Sequence, residues 1–202
     1  MGLPCGVHPS QYAVRALYAK ADDLGAAALT VLTSDARNSW VAMLKQGATM
    51  TMEMWNADEK PNLTWSHPWA TGPAYIIASY LFGINAIVPG FARVGITPSV
   101  GSLTSGQYTQ RTARGDITVR FQNSAANGQF QLTVTLPAGV TAEVGTPAAA
   151  TVTADGLTSM HALVADNEIV RDTRITLRRH AMVTVGPGGL HTFVSSTVTS
   201  TL

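Results

Sequence analysis

The segment Thr51–Gly72, TMEMWNADEKPNLTWSHPWATG, gathers residue types that can do chemistry. It holds Glu53, Glu59, Lys60, His67 and three of the chain's four tryptophans, Trp55, Trp65 and Trp69, although only 12% of all residues are charged. Carboxylates and imidazoles move protons and hydrogen-bond sugar hydroxyls, and indole faces pack against the C–H face of a sugar ring. Glu53 stands between Met52 and Met54. An apolar setting of that kind raises a carboxyl pKa, which suits acid or base work near neutral pH. Each residue also has a plain structural reading. By spacing alone Glu53 reads first as an ordinary exposed glutamate, and His67, between Ser66 and Pro68, as a hydrogen-bonded structural histidine. Trp40, Trp55, Trp65 and Trp69 read as core packing, and Glu59–Lys60 as a solvated turn before Pro61.

Other chemistries find no pattern. His8, His67, His161, His180 and His191 are scattered without ligand spacing, so neither a metal nor another cofactor is expected. The lone Cys5 excludes an internal disulfide and reads as a small buried residue near a chain end. There is no G-x-S-x-G elbow and no phosphate-binding glycine loop. A net charge of +1 with no basic face argues against a nucleic-acid partner. The longest apolar stretch, around Ala74–Val88, is interrupted and too short to span a bilayer, so no membrane partner is expected either. Residues 1–6 show no signal-peptide pattern; the compartment stays open, with an extracellular or periplasmic location compatible.

The elements that must position the segment fall into two halves. SQYAVRALYAKA and DDLGAAALTVLTS carry apolar residues at helical spacing, with Ser10 and Asp22 as expected N-caps. NSWVAMLKQG predicts a shorter helix capped by Asn38 or Ser39 and stopped at Gly47. GPAYIIASYLFGI predicts a fourth, apolar around most of its circumference and therefore suited to the inside of a helical assembly. From about Val88, threonine and valine dominate and glycine and proline recur at short intervals. ARVGITP, GDITVRF, QFQLTVTLP, TAEVGTP and RITLRRHAMVTV read as strands, with turns at Asn127–Gly128 and Asp155–Gly156 and a frayed tail over Ser195–Leu202. The fold class is therefore α+β and multidomain: helices over residues 1–87, then an antiparallel β-sandwich over 88–202, with the boundary near Gly83–Gly90.

Several short motifs in one order give a resemblance. Ser39–Trp40, Gly47–Ala48–Thr49, Thr51–Met52–Glu53–Met54–Trp55 and Lys60–Pro61–Asn62 are followed by Trp65–Ser66–His67, Gly83–Ile84 and Pro89–Gly90–Phe91. With GDITVRF and LTVTLPAG downstream, the chain resembles the end of the catalytic domain and the C-terminal β-domain of bacterial α-L-rhamnosidases, glycoside hydrolase family seventy-eight. The resemblance implies an (α/α)6 barrel, of which the helices here are the last, followed by a small β-sandwich. It implies hydrolysis of terminal α-L-rhamnose from glycosides or polysaccharides with inversion. By it, Glu53 corresponds to the general base and His67 to a residue that contacts rhamnose, while Trp55 shapes the pocket. Ser66 stands where asparagine is usual in the family. The family's general acid and the rest of its sugar pocket lie upstream of this segment, so the chain alone is expected to be inactive. The incomplete barrel is expected to self-associate. The alternative is a non-catalytic carbohydrate-binding or scaffolding β-sandwich protein with remnant helices; a different helical-barrel glycosidase with the same ending is a third reading.

Overall fold

The computed structural model describes residues 2–19, 25–124, 128–146, 151–154, 157–158, 181–186 and 188–196. They fall into two units, one within Met1–Ile77 and Val100–Ser102, the other within Ala78–Ser99 and Leu103–Leu202.

The first unit is helical. Helix α1 (Val7–Ala19) buries Val7, Ser10, Val14 and Tyr18, the face that three- and four-residue spacing puts together. Ser10 does not cap it: the helix begins at Val7, so Ser10 lies inside the first turn and its hydroxyl donates back to the Val7 carbonyl. Pro9 fits there because first-turn N–H groups have no helical partner to lose. Helix α2 (Ala26–Leu32) starts after Gly25, and the expected cap Asp22 lies outside the described residues. Helix α3 (Trp40–Lys45) follows its expected signals. Ser39 accepts the Ala42 N–H at 3.0 Å, and Gly47 takes φ +88° just past the end. The fourth helix is shorter than its apolar run: α4 (Gly72–Ile76) gives way to a π-helical stretch, Ile77–Leu81. Its burial is one-sided as well, with Ile76 buried and Tyr75 38% exposed. Helix α1 packs against α2, α4 and the short turn Pro68–Ala70.

The second unit is a β-sandwich. Strands β1 (Ile84–Ala86), β2 (Arg93–Ile96), β6 (Thr141–Thr146) and β9 (Ala181–Val185) form one sheet in that order. The other runs β3 (Ser105–Thr112), β4 (Gly115–Ser124), β5 (Gln129–Leu136), β10 (Gly189–Ser196), β7 (Thr151–Ala154) and β8 (Leu157–Thr158). Alternation buries one face: Ile117, Val119 and Phe121 on β4, and Phe130, Leu132, Val134 and Leu136 on β5. The register sets like against like, with Phe121 opposite Leu132 and Leu132 opposite Phe193, a row across three strands.

Three details differ from the sequence reading. The β2–β6 pair is parallel, because the β3–β4–β5 meander between them belongs to the other sheet and lets the chain return in the same direction. Strand β3, SGQYTQRT, was hidden by its polar composition; its residues alternate only between exposed and half-buried. Ser195 and Ser196 are not a frayed end, since they pair with Phe130 and Gln129 in β10. In RITLRRHAMVTV the described strand is Ala181–Val185, and Asn127 and Asp155–Gly156 lie outside the described residues.

Gly83 closes the approach to β1 at φ +69°, and its carbonyl accepts the Thr97 N–H at 3.1 Å. A Cβ there would stand 2.2 Å from the Thr97 carbonyl carbon, a backbone atom that cannot move aside. Gly83→Ala is therefore expected to destabilise the β-unit by at least about 1–3 kcal/mol. Chemical denaturation followed by far-UV circular dichroism measures it; a midpoint within error of wild type would contradict the clash.

Candidate functional site

The segment from Thr51 to Ala70 is a loop closed on itself by backbone hydrogen bonds. The His67 N–H donates to the Thr51 carbonyl at 2.7 Å, and the Thr51 hydroxyl donates to the His67 carbonyl at 2.7 Å. Nearer the tip, the Glu53 N–H donates to the Thr64 carbonyl at 2.9 Å. Thr51 to Glu53 is two steps and Thr64 to His67 is three, so the returning chain carries one extra residue. This closure puts Glu53 and His67 on the two sides of one neck.

The Glu53 carboxylate is held at both oxygens. Lys60 Nζ lies 2.5 Å from Oε1, and the Thr64 N–H donates to Oε2 at 3.1 Å. The Lys60 hydrogen bond first, and then the Thr64 N–H, hold its pKa below the usual glutamate value. The expectation of a raised pKa is thereby overturned. Met52 is fully buried but Met54 is 36% exposed, so the two methionines do not enclose the carboxylate, and a cation reaches it instead. Lys60, read from sequence as part of a solvated turn, is that cation. An ionised carboxylate with lone pairs to spare can take a proton from water.

The tryptophans separate into two pairs. Trp40 and Trp55 are core residues that meet edge to face with centroids 5.2 Å apart. Trp40 donates its indole N–H to the Ala70 carbonyl at 2.8 Å, and Trp55 donates to the Cys5 carbonyl at 2.7 Å. Trp55, 3% exposed, thus lies in the packing under the loop. Trp65 and Trp69 contradict the core reading, at 44% and 62% exposed. Cys5 is half-buried rather than buried.

The His67 ring sits 5.3 Å from the Trp69 ring, which in turn is 5.2 Å from His8; His8 meets Tyr12 at 5.9 Å. Four rings therefore form a row from the neck of the loop along the first turns of α1. Sequence reasoning did not single out His8 or Tyr12 for this. The only available signal was their four-residue spacing on one helix face, and the link to Trp69 is a tertiary contact.

Among the described residues no three or more His, Cys, Asp or Glu are grouped to hold a metal ion. No helix among them is long and apolar enough to cross a membrane.

Comparison with known proteins defines the class first: residues 2–81 match a bacterial alpha-L-rhamnosidase six-hairpin glycosidase domain, and residues 83–160 a bacterial alpha-L-rhamnosidase C-terminal domain. The chain belongs to the bacterial α-L-rhamnosidase family, and it carries a few helices matched to the six-hairpin domain followed by the β-domain. An α-L-rhamnosidase structure from Dictyoglumus thermophilum matches 96% of the chain with a TM-score of 0.76 at 17% identity. One from Streptomyces avermitilis, complexed with L-rhamnose, matches 85% with a TM-score of 0.66 at 24% identity. One from Aspergillus terreus matches 85% with a TM-score of 0.62 at 18% identity. The chain spans 21%, 16% and 17% of the length of these three proteins. Comparison with curated protein sequences gives no match.

Trp55 ties the loop to Cys5 through its N–H and to Trp40 through its ring. Trp55→Ala is expected to cost about 3–5 kcal/mol, the range for deleting a large buried aromatic. Thermal unfolding of the two proteins tests this; an unchanged Tm would show that the loop does not depend on Trp55.

Proposed function

We propose that this chain supplies the C-terminal part of an inverting α-L-rhamnosidase, with Glu53 as the general base and His67 as a contact to the sugar. The observation that carries the reading is the ionised, 24% exposed Glu53 carboxylate on the same closed loop as His67, within the matched six-hairpin segment. Glu53 takes the proton from the water that attacks the anomeric carbon. The His67 ring, backed by Trp69, hydrogen-bonds sugar hydroxyls, and the exposed indoles of Trp65 and Trp69 offer apolar faces to the ring. Trp55 contributes by holding the loop from beneath. The substrate class is a rhamnose-containing glycoside or polysaccharide.

Inversion needs a second carboxyl group about 6.5–9.5 Å from the base, so that water fits between base and sugar. The other described carboxylates of the helical unit are engaged. Asp35 pairs with Lys45, Asp58 pairs with Arg37, and Glu59 accepts from the Asn56 amide at 2.6 Å. On this reading the general acid comes from outside these residues, as the family resemblance implies, and the chain alone is expected to turn over no substrate.

Release of nitrophenol from p-nitrophenyl α-L-rhamnoside tests both parts. The chain alone is expected to give background rates. In an enzyme that includes the acid, Glu53→Gln is expected to lower kcat by about 10²–10⁴-fold. Full turnover by the chain alone would refute the missing acid, and full turnover by the Gln variant would refute the base.

A second expectation concerns association. Tyr12, Leu44 and Met50 are each more than half exposed in the helical unit, as suits a barrel surface that other helices cover. Light scattering after gel filtration should show mass rising with concentration; a monomer throughout would count against it.

A further inference from the structure

We propose that Lys60 is a positioning residue for Glu53, brought back by the closed loop to keep the carboxylate charged and fixed in place. The inference rests on the reading of Glu53 as the base. Its support is geometric. The loop leaves Glu53, makes a turn at Ala57–Glu59, and returns through Lys60–Pro61 to Thr64, where the Glu53 N–H meets the Thr64 carbonyl at 2.9 Å. The Leu63 N–H donates to the Lys60 carbonyl at 3.2 Å, so Lys60 opens a tight turn that ends beside Glu53. The carboxylate is thus clamped at Oε2 by the Thr64 backbone and at Oε1 by the Lys60 ammonium.

One donor on each oxygen leaves lone pairs free for water, because an ionised carboxylate has about four acceptor positions. The neighbouring charges are spoken for. Asp58 pairs with Arg37, Glu59 accepts from Asn56, and the His67 ring across the neck lies against Trp69. Among the described residues Lys60 is the cation that acts on Glu53. A neutral hydrogen-bond donor in its place would still orient Oε1. A cation adds charge attraction to that hydrogen bond and favours the ionised form further, which extends the base's working range to lower pH at some cost in basicity.

The sign of the stability effect follows. With its folded pKa below the unfolded one, Glu53 stabilises the loop above the ordinary glutamate range, and that contribution is lost as pH falls through the folded value.

Carbon-13 NMR of the side-chain carboxyl, titrated on the full chain, tests the proposal without needing catalysis. The wild-type Glu53 midpoint is expected below the ordinary glutamate range, to move up in Lys60→Met, and to return in Lys60→Arg. Circular dichroism confirms folding, and Lys60→Leu, which also removes both the donor and the charge, gives the same readout should the methionine variant not fold. An unmoved midpoint in a folded Met or Leu variant overturns the proposal, as does an arginine variant that behaves like methionine. Whether Glu53 is the base is decided separately by nitrophenol release, so a failure of one idea does not masquerade as a failure of the other.

Discussion

The candidate site depends on the neck where Thr51 and His67 exchange two hydrogen bonds. Each partner uses the other's backbone, so the bonds persist whatever the side chains of the intervening loop do. Through this neck the chain between Thr51 and His67, which are 16 positions apart, becomes a closed unit rather than a long excursion. Residues on the two sides of it share one small region of surface. Without it, Glu53 and His67 would be two polar residues on a flexible segment, each losing more entropy on meeting a ligand.

Beneath the neck, the indoles of Trp40 and Trp55 tie the loop to the rest of the helical unit. Trp40 bonds to Ala70 at the loop's far end, and Trp55 reaches to Cys5 near the chain's beginning. Two large apolar groups therefore anchor a polar surface from below, each with its N–H satisfied so that burial costs no hydrogen bond. The division among the tryptophans follows from this arrangement. Those with backbone carbonyls to meet are inside, while Trp65 and Trp69 lie on the surface beside polar residues.

Much of this was legible in the residues themselves. The Ser39 cap and the Gly47 stop are local chemistry, satisfied within one turn, and both stand in the structure as their types imply. Strands β4 and β5 announce themselves because alternation is a local pattern. Strand β3 does not, since its residues pair with β4 while hiding little apolar surface. Ser10 misled for a related reason: a serine before an apolar run has the chemistry of a cap, but whether the helix starts there depends on what the preceding turn packs against.

The family and its order of motifs are thus properties of the sequence by itself, as is the fold class, because they rest on residue type and near spacing. The electrostatic state of Glu53 is not. Two flanking methionines suggested an apolar pocket, yet the chain folds Lys60 back across seven residues and the Thr64 N–H across eleven. The row of rings from His67 through Trp69 to His8 and Tyr12 is likewise a meeting of distant segments. A carboxylate's charge answers to what lies within a few ångströms of it, and only the tertiary structure decides which groups those are.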